Sequence, residues 1–376
     1  MKVPLFDLTR QYKKMRVEMM NRIDEVISSG RVILGKNVEE IEKNIAKYIG
    51  VKHAIGVASG SDALLLALRA MGVKAGDRVI TTPYTFFATV SAITRLDARP
   101  IFVDVDEKTF NMSLNDVKRA LEKDERIKAI IPVHLFGRSV DMQSLKGICD
   151  PYGVKILEDA AQSVGSECVV DGKKVRTGSV GEAGILSFFP TKNLGAYGDA
   201  GMVLTNSDEI NEKVRMLRVH GSRKKYVHDE VGYNSRMDEI QAAILNVKFP
   251  NLNEWISKRI SVAKNYASLF EKYEVDVVYP EVPRDRSYVF HQYVIRVKKR
   301  DELREYLTSN HIGTSIYYPI PLHLQKCFSY LGYKMGDFPT AEELSKETLA
   351  LPIFPEITVE EQRYVVEKIK EFYNKS

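Results

Sequence analysis

Between about His53 and Asn206 the chain alternates short apolar runs with stretches of helical spacing. Seven runs read as strands: "HAIGVAS", "DRVITTP", "RPIFVDVD", "KAIIPVHLFG", "VKILEDAA", "GILSFFP" and "GMVLTN". Most are near-continuous Val/Ile/Phe stretches rather than in–out alternations, the pattern of strands covered on both faces. Helical spacing separates the earlier ones, as in "SDALLLALRAMG" and "SLNDVKRALEK". This order predicts an α/β fold with a doubly wound, mostly parallel seven-stranded sheet.

The pattern changes after Asn206. In "SRMDEIQAAILNVKF", Met237, Ile240, Ile244 and Val247 fall at helical spacing, and Pro250 interrupts it. A second amphipathic helix is predicted from about Leu252 to Tyr273, carrying Trp255, Ile256, Ile260 and Ala263. "DVVYP", "HQYVIRV", a helix opening with "RDELREYLTSN", and "TSIYYPIPLH" complete a smaller α+β segment. The expected division is a large domain over 1–250 and a small C-terminal domain over 251–376. A chain of 376 residues is long for one core, which agrees with two domains.

Composition narrows the function classes. Hydrophobic residues make up 44% and charged residues 28%, as in ordinary globular proteins. The net charge of +5 is spread along the chain, with one short basic run, "GSRKKY". That does not indicate a nucleic-acid binder and fits a site for a small anionic ligand at least as well. Cys149, Cys168 and Cys327 form no CxxC pair, and the seven histidines show no HExxH pattern, so no metal site is expected. Without a secretory leader the thiols read as reduced and the protein as cytoplasmic. No apolar run approaches the roughly 18 to 20 residues that span a membrane.

In a doubly wound sheet, ligands bind beyond the carboxyl ends of the strands. The first strand runs into Gly60, Ser61 and Asp62, where a helix begins. Free N–H groups and the helix dipole make such a start a phosphate site, or simply a capped helix. The chain carries neither GxGxxG nor GxxxxGK[ST], so dinucleotide and P-loop readings lack their fingerprints. Beyond the second strand, Tyr84, Phe86 and Phe87 either pack or supply a face for a flat ring. Asp159 ends the fifth strand, where a carboxylate needs a cationic partner. That partner is a structural base or a protonated ligand nitrogen, and Gln162 is placed to bond the same ligand. Ser187 ends the sixth strand, and Lys192 follows the Pro190 turn beside Gly195, Gly198 and Gly201. Most lysines are surface groups, but desolvation in such a loop makes one a nucleophile toward carbonyls. A phosphate cup, a stacking ring, a buried carboxylate and a loop lysine together are what pyridoxal 5'-phosphate requires.

With these motifs in place, the chain resembles the DegT/DnrJ/StrS-type nucleotide-sugar aminotransferases, of the aspartate-aminotransferase fold (PLP-dependent transferase fold type I). The resemblance spans nearly the whole chain, from "PLFDLTRQY" and "SGRVILGKNVEEIEK" through "SGSDALLLAL", "TPYTFFAT", "EDAAQS" and "SFFPTKNLGAYGDAGMVLTN" to "GYNSRMDEIQAAIL" and "YYPIPLHLQ". It implies that Lys192 forms the imine with the cofactor, that Asp159 pairs with the ring nitrogen, and that Gln162 meets the ring hydroxyl. Gly60, Ser61 and Ser187, with the Asp62 helix start, hold the phosphate, and Phe86 covers the ring. Asn234 reaches the partner subunit's cofactor, which implies a homodimer with shared sites. Ser61 stands where the family more often has threonine, which keeps the hydroxyl.

The resemblance also implies the substrate class. "HGSRKKYVHDEVGYNSRMD" is similar to members that aminate 3-keto sugars on a nucleotide, with glutamate as the implied amino donor. Others act on 4-keto sugars. Lys224, Lys225 and Arg236 meet a diphosphate or sugar carboxylate, or form a solvated run. Tyr317, Tyr318 and His323 resemble the family's substrate-side wall, and Leu34 in "RVILG" a segment bordering the sugar. Members carrying histidine in place of the lysine dehydrate ketosugars, so Lys192 favours transamination. A PLP-binding sensor or scaffold is the non-enzymatic alternative. Regulators with such domains carry an added DNA-binding segment, and none is visible.

Overall fold

The computed structural model describes residues 1–375. Seven strands form the central sheet: β1 (His53–Val57), β2 (Arg78–Thr81), β3 (Arg99–Phe102), β4 (Ile127–Ile130), β5 (Lys155–Asp159), β6 (Ala183–Ser187) and β7 (Gly201–Thr205). Their order is β1-β7-β6-β5-β4-β2-β3. The pairs β6–β5, β5–β4, β4–β2 and β2–β3 are parallel, and β7 runs antiparallel to both its neighbours, β1 and β6. All seven expected strands are present, and the sheet is mostly parallel.

Both faces are covered, which explains the continuous apolar runs. Ile55, Val57, Leu157, Ile185 and Val203 pack under helices α3 (Gly60–Ala70), α4 (Phe87–Thr94) and α7 (Asp208–Leu217). On the opposite face, Ala54, Leu186, Met202 and Leu204 meet α2 (Lys36–Ile49) and α8 (Glu239–Lys248). Beside them, Ile80, Ile130 and Ile156 meet α5 (Leu114–Lys123) and α6 (Met142–Cys149).

The helix over Leu252–Tyr273, α9, matches its sequence expectation and runs between two hydrophobic cores. Its Ile256 packs in the large-domain core, while Val262, Tyr266 and Phe270 lie in the small-domain core. That second core also takes in Tyr84, Phe110 and Phe136, from loops beyond the ends of β2, β3 and β4. The small domain therefore sits over the carboxyl ends of those strands. Its antiparallel pair is Tyr293–Arg296 with Thr348–Leu351, flanked by α10 (Arg300–Ser309), α11 (Pro339–Glu347) and α12 (Val359–Lys375).

The first residues depart from the expected division at 1–250. Val3 bridges to Ile312, with Val3 N–H on His311 O at 3.0 Å and Gly313 N–H on Val3 O at 2.8 Å. Arg10, in α1 (Leu8–Ser29), pairs with Glu361 of α12 at 2.5 Å. The chain thus begins on the small domain and crosses to the large one through α1. "DVVYP" and "TSIYYPIPLH" form no strand, only single bridges at Val278 and Ser315. Among the described residues no helix is long and apolar enough to cross a membrane.

Candidate active site

The antiparallel placement of β7 brings three chain segments to one point. Ser187, the last residue of β6, pairs with Gly201, the first of β7, and Gly201 pairs with Val57 at the end of β1. Helix α3 starts immediately beyond. Ser59 caps it, its Oγ accepting from Asp62 N at 3.1 Å. Added Cβ atoms show how tightly this corner closes. On Gly60 one would lie 2.7 Å from Ser187 Cβ, and on Gly201 one would lie 2.3 Å from the Ser59 carbonyl carbon. Only glycine fits at either position, and the result is a backbone cradle at a helix N-terminus. Ser61 lies in that first turn. Asp62 contributes less than expected: its N–H is taken by Ser59, and its carboxylate lies 3.7 Å from Arg95.

The loop from β6 to β7 carries Lys192. Buried Phe188 and Leu194 anchor it. Lys192 N–H donates to Phe189 O at 2.8 Å, and Ala196 N–H to Phe188 O at 2.7 Å. A Cβ on Gly195 would lie 2.3 Å from Pro190 O, so this turn needs glycine. Lys192 is half-buried. Desolvation lowers its amine pKa to about 8, against the opposing pull of Asp159.

Asp159 is 5% exposed. Its Oδ2 accepts from Thr89 Oγ1 at 2.8 Å and its Oδ1 from Ala161 N at 3.2 Å. Burial raises its pKa, while Thr89, Ala161, Lys192 and His134 pull it back. Nothing among the described residues forms an ion pair with it at 4.0 Å or less. The carboxylate thus lacks the cation its burial calls for.

Gln162 is fixed from both ends. Its Oε1 accepts from Phe136 N at 2.6 Å, and its Nε2 donates to Tyr318 Oη at 3.2 Å. Tyr318 is thereby tied to Gln162, and its ring centroid lies 6.3 Å from that of Phe86. Phe86 is 57% exposed, whereas Phe87 stacks on Phe328 at 5.3 Å. Of the neighbouring phenylalanines, Phe86 is the one with an open face. Tyr317 presents its carbonyl to Tyr84 Oη at 2.6 Å.

The remaining expected residues divide. Ser235 Oγ accepts from Ala58 N at 3.4 Å, which holds Asn234 and Arg236 near the cradle. Asn234 is exposed, and the Arg236 Nε is buried without a partner. Lys224 and Lys225 are exposed on the hairpin Ser222–Lys224 with Val227–His228. Leu34 precedes α2 with φ of 48°. His323 is a correction. It is 1% exposed, with Nε2 at 3.0 Å from Glu342 Oε1 and its ring 4.9 Å from that of Phe338. It packs inside the small domain and offers no surface to a sugar.

Sequence reasoning missed Thr89 and His291. Thr89 is 1% exposed on the inner side of α4, three residues after Phe86. His291 is 7% exposed with an unpartnered Nδ1, and burial and the Lys192 charge hold its pKa well below the usual histidine range. The available signals were a threonine in an otherwise apolar helix and a histidine opening "HQYVIRV". A cleft of about 570 Å³ between the starts of α5 and α6 and the hairpin Glu167–Val170/Lys173–Arg176 contains none of these groups.

Comparison with known proteins places the chain in a family. The chain is 52% identical over 99% of its length to a "pleiotropic regulatory protein" of Geobacillus stearothermophilus, 99% of which is matched. It is 41% identical, over 96% of its length and 95% of the relative's, to the UDP-N-acetyl-3-dehydro-alpha-D-glucosamine 3-aminotransferase of Acidithiobacillus ferrooxidans. The crystal structure of S. venezuelae DesV superposes with a TM-score of 0.93, at 37% identity, covering 99% of this chain and 98% of that one. A family model described as the DegT/DnrJ/EryC1/StrS aminotransferase family matches residues 13–370, and the chain belongs to that family.

Proposed function

We propose that this pyridoxal phosphate-dependent aminotransferase moves an amino group from an amino acid, glutamate for preference, to the 3-keto carbon of a nucleotide-linked sugar, with Lys192 as the reacting lysine. The observation that carries the reading is the pairing of two half-complete groups. An amine whose pKa desolvation lowers to about 8 lies within electrostatic reach of a buried carboxylate that forms no ion pair among the described residues.

The residues present fit the cofactor. The cradle of Gly60, Ser61 and Ser187 lies at a helix N-terminus where a Cβ on Gly60 would meet Ser187, an arrangement that suits phosphate oxygens. Asp159 would hold a proton on the ring nitrogen, and Thr89 fixes the carboxylate through its bond to Oδ2. Gln162, locked by Phe136 and Tyr318, presents its amide to the ring hydroxyl. Phe86 covers one ring face. Bound pyridoxal phosphate supplies an aldehyde for amines and a ring that absorbs the charge left when an α-proton departs. Lys192 in its neutral form would take that proton and deliver it to the cofactor-side carbon across the nitrogen. Asn234 is exposed and adjacent to the cradle, which suits a contact across a homodimer. Support for a 3-keto acceptor comes from the 41% identical relative, whose name specifies a 3-dehydro amino sugar.

The test joins labelling to product analysis. Borohydride is expected to fix the cofactor to the Lys192 peptide alone. UDP-, dTDP- and GDP-linked 3-keto and 4-keto sugars, offered with glutamate, are expected to yield an amino sugar only from a 3-keto member. Label on another lysine overturns the site, and amination only of 4-keto sugars overturns the acceptor. The relative named as a regulatory protein favours a second reading, a cofactor-binding sensor. Cofactor capture without turnover on any member of the panel would select it.

A further inference from the structure

Helix α8 lies against the large domain, yet four of its polar side chains point inward. Gln241 and Lys248 are two turns apart on one stripe of the helix. Both reach the loop that carries Lys192. Gln241 Oε1 accepts from Tyr197 N at 2.9 Å, and Lys248 Nζ donates to the carbonyl of Gly195. Glu239 and Asn246, also two turns apart, reach the start of α2. Glu239 accepts from Gly35 N at 2.9 Å, Asn37 N at 2.5 Å and Val38 N at 3.2 Å, and Asn246 Nδ2 donates to Asn37 O at 3.0 Å.

We infer that α8 is a bracket that fixes the Lys192 loop and the Leu34 segment in one geometry, with Lys248 as a positioning residue for Lys192. Packing alone does not account for Lys248. The side chain is 1% exposed, pairs with no carboxylate at 4.0 Å or less, and faces the rings of Tyr197 at 5.2 Å and Trp255 at 5.8 Å. A buried amine without an ion pair costs stability, and an unbranched apolar side chain would fill the same space at lower cost. The bond to Gly195 explains its presence. Gly195 closes the turn three residues after Lys192, at a place so close to Pro190 O that an added Cβ would lie 2.3 Å from it. Releasing the carbonyl lets the turn shift, and a displacement on the order of 1 Å at a reacting group costs up to about a hundredfold in rate.

The inference rests on Lys192 as the reacting lysine, so the experiment separates the two. Lys248→Met and Gln241→Leu are prepared as full-length protein loaded with pyridoxal phosphate. Each is measured for melting temperature, borohydride labelling, and kcat and KM with the keto sugar. Lys248→Met is expected to melt no lower than wild type, to keep KM within about twofold, and to lose between about tenfold and a hundredfold in kcat. Gln241→Leu is expected to lose less, in the same parameter. Lys248→Arg, which keeps a donor, is expected to recover part of the loss. A purely structural Lys248 would instead lower the melting temperature and leave kcat intact in the folded fraction. If Lys248→Met does not fold, Gln241→Leu decides by the same split. Wild-type label on a lysine other than Lys192 sinks the underlying reading. Label on Lys192 with unchanged kcat in the folded variants overturns the bracket alone.

Discussion

The inner and outer ends of the candidate site are built by different means. At the inner end, Asp159, Ser187, Gly60 and the Lys192 loop all follow strands of one sheet, and hydrogen bonds or backbone crowding fix each of them. At the outer end, Phe86 and Asn234 stand exposed beside loops and Lys224 on a short hairpin. The sheet dictates where the reacting amine and its counter-charge sit. The loops are free of that constraint, and on the proposed function they are where a sugar would be met. Substitutions at the inner end should therefore remove chemistry, and those at the outer end should change only what is bound.

The largest effect is expected at Lys192. Lys192→Ala should lower amine transfer, followed by mass spectrometry of the sugar product, by about 10⁴-fold or more, since it removes both the nucleophile and the proton carrier. The cradle at Gly60 and Ser187 remains, so dialysed protein should still retain loosely held cofactor, read by absorbance. Asp159→Asn comes next, at about a thousandfold, because a neutral amide cannot hold the ring nitrogen protonated. Thr89→Val keeps the carboxylate but removes its bond at Oδ2. A bond to a charged group of about 1.5 kcal/mol corresponds to roughly tenfold in rate. If Thr89→Val fell as far as Asp159→Asn, the carboxylate's orientation rather than its charge would be the controlling feature.

Much of the inner end was legible in the sequence. Strands buried on both faces leave continuous apolar runs, and the residue after each run marks a strand end, which is how Asp159 and Lys192 stood out. The bounds of α9 were legible because Pro250 stops the preceding helix. Depth and long-range pairing were not. His323 lies in a tyrosine-rich loop that looks like a wall, and only its contact with Glu342 shows that it turns inward. Val3 joins the small domain through a single bridge, which leaves no periodicity to read. Thr89 looked like any helical threonine until β5 placed a carboxylate opposite it.

A pH experiment sharpens the inner end without mutation. An unperturbed lysine has a pKa of 10.5, and Lys192 is lowered to about 8 by desolvation. Only the neutral amine captures the cofactor's aldehyde, so capture by apoprotein should speed up with rising pH and level off just above 8. With an ordinary lysine the rise would continue toward 10.5. Linkage gives a matching sign for stability. Between about 8 and 10.5 the unfolded chain holds the extra proton, so apoprotein stability should increase with pH across that window. Lys248, also lowered to about 8 by burial, acts in the same direction. Following capture by absorbance isolates Lys192, because Lys248 does not contact the aldehyde. A capture rate still climbing at pH 10 would show that Lys192 is not desolvated in solution.

The smallest effect is expected at the outer end, from Lys224→Ala. Lys224 is exposed on a short hairpin and forms no ion pair among the described residues. Exposed charges in water are worth at most about 1 kcal/mol, so a contact with a diphosphate should raise KM for the nucleotide sugar by no more than about fivefold. Salt should weaken that contact, so the gap between Lys224→Ala and wild type should narrow as ionic strength rises. Cofactor capture, the amino-acid half-reaction and the pH profile should not change, because no hydrogen bond among the described residues joins the hairpin to the Lys192 loop. Equal KM values at low salt would assign Lys224 to the solvated surface. A fall in kcat with the amino acid alone would instead mean that the hairpin reaches the inner end, and the division between the two regions would not hold.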